Sequence, residues 1–341
     1  MSGKPKLALY WAASCGGCEI AVLAIDEKIL EVANAFDIVF WPVAIDAKVR
    51  DVEKMPDQSI DVCLFNGSIR SSEQEYMARL MRAKSKVLVA FGSCAHEGCI
   101  PGLANLSSRE EVFRASYESP SVDDTRKVRP QTETPVPEGT LHLPVFYDTV
   151  KTLDQTVAVD YYLPGCPPEA ERIWDAVQAV IAGLNGAPLP PPGTVIGKDT
   201  TVCDDCPRTR AEKKIKRFYR TWEILPDEKQ CLLEQGIVCC GVATRGGCGA
   251  LCPQVNSPCI GCYGPNTGVS DFGARLMSAL ASVIDSNDPD EIDRIIREGI
   301  PDPIGTFYRF SLAHSQLRRS ALSGNGGAPV AGRAGVEGAK R

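Results

Sequence analysis

Histidine is scarce in this chain, with three in 341 residues, at positions 96, 142 and 314. That scarcity leaves little room for a metal centre built on imidazole. Positive charge is not in excess either: the formal net charge is -6, so there is no electrostatic footprint for nucleic acid or an anionic membrane. No apolar run approaches the roughly 20 residues needed to span a bilayer. The opening "MSGKPKLALYWAAS" has only a short apolar stretch and leads straight into cysteines; it lacks both a secretory pattern and a twin-arginine motif. The expected location is therefore the cytoplasm. No internal repeat of about 20–50 residues is present, which sets solenoids aside.

Cysteine, by contrast, is abundant, with 15 residues. In a reducing compartment that count points to metal binding or redox chemistry rather than a disulfide framework. Sulfur-rich ligation selects zinc or iron–sulfur clusters. The rest of the composition, 44% hydrophobic and 23% charged, is that of an ordinary globular protein long enough for two domains.

The first half alternates strand-like and helix-like segments. Strands are predicted at 6–12, 37–44, 61–69, 86–94 and from 157, and helices at 19–36, 71–85 and 169–184. Such alternation implies an α/β fold with a doubly wound parallel sheet. The polar stretch 107–140, rich in Ser, Glu, Pro and Thr, shows no periodicity and reads as a surface insertion or mobile loop. The proline run "PLPPPG" at 188–193 marks a boundary, giving expected domains at 1–187 and 188–320. Between 203 and 262 lie nine cysteines, with little regular pattern outside "CPRTRAEKKIKRFYRTWEIL". Inorganic cross-links would have to organise such a segment, which cannot build much of an apolar core alone. Two helices follow, in "GARLMSALASVID" and "DEIDRIIREGI". The small-residue tail at 321–341 reads as disordered.

Four cysteines of the α/β half share one kind of position. Cys15 and Cys18 follow the first strand, Cys94 ends the fourth, and Cys166 sits in a "PGCPP" turn after the last. In open α/β sheets ligands bind outside the carboxyl ends of the strands, so these distant residues can converge. Cys18 also opens a helix, where free amides favour a thiolate. Four thiolates suit a 4Fe–4S cluster or a structural zinc. The plainer reading makes Cys94 and Cys166 small core residues and Cys15–Cys18 a redox CxxC pair.

The second half offers Cys203-x2-Cys206, Cys231 and adjacent Cys239 and Cys240, then Cys248-x3-Cys252-x6-Cys259-x2-Cys262. Each group can supply one centre, with zinc as the competitor to iron and sulfide. The ferredoxin run C-x2-C-x2-C-x3-C-P is absent.

Taken together, "SCGGCE", "GSC" before "IPGL", "PGCPP", "CDDCPR", "CLLEQGIVC" and "RGGCGALCPQVNSPCIGCYGP" resemble the small subunit of NiFe hydrogenases. The likeness is greatest to the cytoplasmic, methyl-viologen-reducing type that works with heterodisulfide reductase, and it runs from about residue 6 to 275. It implies a flavodoxin-like domain followed by an irregular iron–sulfur domain holding three 4Fe–4S clusters. The proximal cluster falls on Cys15, Cys18, Cys94 and Cys166, the distal on Cys203, Cys206, Cys231 and Cys239, and the medial on Cys248, Cys252, Cys259 and Cys262. Periplasmic relatives carry a histidine at the position of Cys203 and a proline near that of Cys252; this chain has cysteine at both. Of the remaining thiols, Cys63 reads as a small core residue, Cys99 as a neighbour of the proximal set, and Cys240 as the rival of Cys239. The "SCAHEGCIPGL" segment departs from the family; His96 and Glu97 read either as solvated loop residues or as groups that tune the cluster or carry protons. Glu19 reads as a first-turn acid.

The resemblance implies an electron-transfer subunit with no catalytic residue of its own. Hydrogen would be split on a separate large subunit. This chain would relay the electrons to a further iron–sulfur or flavin partner, such as a heterodisulfide-reductase-like one. Three other readings stand beside it: the same relay in a complex without nickel, a zinc-stabilised binding module, and a quinone-reductase subunit of related fold.

Overall fold

A computed structural model describes residues 3–123, 128–212 and 214–317; the tail expected at 321–341 lies outside them. The central sheet has six strands, labelled here β1 (Lys6–Trp11), β2 (Asp37–Phe40), β3 (Ile60–Asn66), β4 (Ser85–Phe91), β5 (Tyr161–Leu163) and β6 (Thr194–Val195). All are parallel, in the order β6-β5-β4-β3-β1-β2, which is the flavodoxin-like winding with one added edge strand.

The side-chain period of two sends alternate residues to opposite faces, and both faces are covered. Ala8, Cys63, Phe65 and Leu88 pack on one side against Met77 and Met81 of helix Ser72–Lys84. Leu9, Val62, Val89 and Leu163 pack on the other against Val22, Val32 and Ile173. Fully burying each of these larger side chains is worth about 1.5–3 kcal/mol. Cys63 is fully buried within this core, where desolvation pushes its thiol up to about 12.

Three sequence expectations are corrected. The helix expected at 19–36 is broken into Gly17–Leu23, a 3-10 turn Asp26–Lys28 and Ile29–Ala35. Asp26 takes a left-handed φ of 55°, which a continuous right-handed helix does not accommodate. The 107–140 stretch is not structureless: Ser108 caps a helix Arg109–Tyr117 through a capping box with Glu111, and Glu133–Val136 pairs with Gly139–His142 as an antiparallel hairpin. The cysteine-rich region does share an apolar core, because Ile215, Phe218 and Leu233 meet Leu276 and Leu280 of helix Phe272–Ala281 and Ile295 of helix Pro289–Gly299.

The sheet also draws its edge strand β6 from beyond the proline run. Between the sheet and helix Ala170–Leu184 lies an apolar cavity of about 480 Å³, lined in part by Leu7, Val62, Phe91 and Val177; none of the thiols lines it. Among the described residues no helix is long and apolar enough to cross a membrane.

Candidate metal centres

The carboxyl edge of the sheet gathers the first thiols. Helix Gly17–Leu23 begins just after β1, so Cys15 stays exposed while Cys18 is buried. Across from it, Gly92 ends β4 with φ +83°; a Cβ there would collide with the Cys18 sulfur, so only glycine leaves that thiol its place. Burial, then the neighbouring Cys166 and Cys15 thiols, push Cys18 up to about 12. Cys94 lies in the short helix Ser93–Glu97, directly after that glycine.

Cys99 belongs to this group more closely than its spacing suggested. Its sulfur stands 3.6 Å from that of Cys166, and Cys94 lies near enough to influence it. The bond to Cys166 draws the Cys99 thiol down, but Cys94 and burial outweigh it and raise it. Cys166 is raised in turn by its bond to Cys99 and by burial. Five thiols therefore meet at this edge.

In the second half, Cys203, Cys206, Cys231 and Cys239 line one cavity together with Arg208, Arg210 and Pro253. Arg208 is buried and holds the surroundings in place. Its guanidinium donates to the carbonyls of Pro253 at 2.9 Å, Asp227 at 2.8 Å and Gln230 at 2.9 Å, and to Asn256 Oδ1 at 2.7 Å. Four charge-assisted bonds in a dry site fix the loop beside Cys231 and the turn after Cys252. Adjacent Cys240 does not line that cavity. Its amide donates to the Cys259 carbonyl at 2.8 Å, and burial followed by the nearby Cys239 pushes its thiol up to about 12.

Cys248, Cys252 and Cys262 form the third group: burial first, then Cys248, with Cys252 a smaller contributor, push Cys262 up to about 12. The backbone amide of Cys166 acts the other way on Cys262, favouring its thiolate. Cys259 is set apart from these three. It is raised by burial and then by Cys239 and Cys240, and its thiol bonds Thr244 Oγ1 at 3.6 Å.

The His96–Glu97 pair, one reading of which was a solvated loop, is buried: His96 is 7% exposed and Glu97 2%. Glu97 lies 3.3 Å from His96 and 3.7 Å from His314, whose other nitrogen is 3.6 Å from Asp154. Thr152 and Tyr162 donate to the same Asp154 carboxylate, at 2.5 and 3.3 Å. Glu19 is the first-turn acid of helix Gly17–Leu23, as expected, and it is buried; Asn66 donates to it at 3.4 Å, and burial pushes its carboxyl up.

Two further residues escaped the sequence reading. The Tyr263 hydroxyl, beside Cys262, donates to the carboxylate of Glu169, three positions after Cys166. Ser93, beside Cys94, donates to the Cys262 carbonyl. Only their adjacency to cysteines hinted at either.

The donor set fits iron–sulfur clusters. Thiols crowded together are held protonated here by burial and by one another, and bound iron would reverse that penalty, since the thiolate is the ligand form. Among the described residues no three or more His, Cys, Asp or Glu side chains are arranged to hold a single metal ion.

The family described as NADH ubiquinone oxidoreductase, 20 Kd subunit, matches residues 15–180. The iron–sulfur subunit of the F420-non-reducing hydrogenase of Archaeoglobus profundus is 43% identical over 321 residues, covering 92% of this chain and 98% of that protein. The corresponding chain of the vhu F420-non-reducing hydrogenase of Methanocaldococcus jannaschii is 35% identical, covering 93% of this chain and 98% of that one. The delta subunit of sulfhydrogenase 2 of Pyrococcus furiosus is 26% identical, covering 76% and 86%.

Proposed function

The chain belongs to the family of the F420-non-reducing hydrogenase iron–sulfur subunit, and from that premise we propose how its own residues serve electron transfer. It is the small subunit of a NiFe hydrogenase, part of an oxidoreductase complex whose hydrogen-activating site lies on another chain. The finer reading is a three-centre relay, with Cys15, Cys18, Cys94 and Cys166 holding the proximal 4Fe–4S cluster. Cys248, Cys252, Cys259 and Cys262 hold the medial one, and Cys203, Cys206, Cys231 and Cys239 the distal one. Clusters bound there would carry single electrons between the large subunit and an onward partner.

The observation that carries this reading is the common cavity of Cys203, Cys206, Cys231 and Cys239, residues that the sequence scatters from 203 to 239. It supports Cys239 over Cys240 as the distal ligand. The family match at 15–180 ends before Cys203, so a quinone-reductase-type reading leaves nine cysteines without a task.

Trp11, Ile20, Leu23 and Ile100, close in sequence to Cys15, Cys18 and Cys99, are exposed, and Ile20 is 66% exposed. An apolar rim beside exposed Cys15 and Cys166 supports burial of that site under a large subunit. We place the onward partner, an iron–sulfur or flavin subunit of the heterodisulfide-reductase-like kind, at the distal side, and the whole complex in the cytoplasm.

The test is isolation of the native complex, anaerobically, through a tag on this chain, with iron, sulfide, nickel and zinc measured. About twelve irons per chain with matching sulfide and one nickel per complex is the expected result. Twelve irons without nickel would keep the relay and remove the hydrogenase. Zinc in place of iron would remove both.

A further inference from the structure

Between the first and third thiol groups the structure places a half-buried acid that neither group uses. Glu169 follows Cys166 by three residues, and its carboxylate accepts from the Tyr263 hydroxyl, next to Cys262. Tyr263 is 1% exposed, among the largest fully buried side chains. The pair therefore joins the turn after β5 to the "CIGCY" turn of the cysteine-rich region, 94 residues away.

We propose that the Glu169 carboxylate, held in place by Tyr263, sets the reduction potential of the centre at Cys248, Cys252, Cys259 and Cys262. This rests on the relay reading above. The physical argument is electrostatic. Tyr263 directly follows Cys262 and its hydroxyl reaches the Glu169 carboxylate, so the charge of the acid sits beside the turn that carries Cys262. Reduction of a cluster adds one negative charge to the same place. In a half-buried site a fixed carboxylate opposes that charge more than it would in water. The acid thus holds this centre's potential down, so that the middle of the relay is not an electron trap between its neighbours.

Tyr263 acts through Glu169. Burial pushes the Glu169 carboxyl up and the bond from Tyr263 works against that, so without the hydroxyl the acid would lose its fixed place and part of the stabilisation of its charged form. Glu169 is thus a positioning and tuning residue rather than a catalytic one.

The measurement is a potentiometric titration of the intact, anaerobically purified complex, each cluster followed by its own paramagnetic signal. It is made on the natural protein and on Glu169→Gln, Glu169→Asp and Tyr263→Phe. In Glu169→Gln the medial centre is expected to become easier to reduce, its electron-partition constant rising about tenfold, which for a one-electron couple is about 59 mV. Glu169→Asp keeps the charge and should move it much less, and Tyr263→Phe should move it in the same direction as Glu169→Gln. The proximal and distal signals should shift less than the medial one. An unmoved medial potential in Glu169→Gln with full iron content overturns the inference. So does an equal shift in Glu169→Asp, which would trace the effect to packing rather than charge. If Glu169→Gln loses iron, the comparison of Glu169→Asp with Tyr263→Phe decides in the same way. A natural complex with no medial signal at all overturns the relay reading itself, and that outcome is visible before any variant is made.

Discussion

The Ser93 hydroxyl donates a 2.5 Å hydrogen bond to the carbonyl oxygen of Cys262, 169 residues away. The same hydroxyl accepts from the Gly165 amide at 3.1 Å, while the Ser93 amide donates to the Gly165 carbonyl at 2.8 Å. One small side chain thus ties the loop of Cys94, the turn of Cys166 and the turn of Cys262 into a unit.

Ser93→Ala leaves a buried amide and a buried carbonyl without their partner, at a cost of about 1–3 kcal/mol. The expected outcome is a lower unfolding temperature for the anaerobic complex and a changed signal from the centre at Cys262. An unchanged melting curve would mean that backbone contacts alone join the three loops.

Gly92→Ala should remove the first centre selectively. The new Cβ would collide with the Cys18 sulfur, and the φ of +83° with ψ of 162°, a region kept for glycine, adds about 1–3 kcal/mol of strain. Iron should fall by about four per chain while the other signals persist. Retention of all the iron would show that Cys18 can move aside.

Much of the fold is readable in the sequence, and the misses have physical causes. The strands β1, β3 and β4 are continuous apolar runs because both sheet faces are covered, and runs of that kind are visible in a sequence. Strand β6 is only Thr194–Val195, too short for any period to register. The helix at Arg109–Tyr117 carries a Ser108–Glu111 capping box, but its weakly apolar, exposed face hides it within a polar stretch. The positions of the thiols after each strand are legible from the winding of the sheet. The 3.6 Å approach of Cys99 to Cys166 is not, since it depends on the left-handed turn at Cys99, with φ +48°, and on the loop that follows.

Cys239→Ser and Cys240→Ala should differ sharply. The first removes a thiol that lines the shared cavity and should cost the distal signal and about four irons. The second trims a side chain buried in the apolar core and should keep the iron, losing stability only. Electron paramagnetic spectra of the two reduced proteins compare them directly, and the reverse pattern would exchange the two assignments.

Arg208→Lys keeps the charge but cannot reproduce four bonds from one planar fork. Bonds to charged groups are each worth about 1.5–3 kcal/mol, so destabilisation of several kcal/mol is expected. Denaturant midpoints would read it, and a midpoint matching the natural protein's would show that the loops around Cys231 and Cys252 hold themselves.

Asp154 provides a pH test with a definite sign. Burial alone would raise its carboxyl, but the His314 hydrogen bond and charge outweigh that and hold it down at about 2, from 3.8. A depressed acid contributes stability that is complete above the unfolded value and is lost as pH falls through the folded one. While its histidine partner is charged, Asp154→Asn should therefore cost on the order of 2 kcal/mol at about pH 5. The gap between the two proteins in urea unfolding should narrow as the pH falls below about 4. A gap that is already absent at about pH 5 would rule out this contribution.

One wall of the first thiol site comes from the far end of the described chain. The Phe310 carbonyl accepts the Cys99 amide at 2.8 Å, Ala313 fills the space beside Gly98, and the Ala313 carbonyl accepts from Gln155 at 2.9 Å. During synthesis, Cys15, Cys18, Cys94 and Cys166 all leave the ribosome before this closing piece exists. The first site to be made thus receives its wall beside Cys99 last, while its other side, at Cys15 and Cys166, stays exposed in the finished chain.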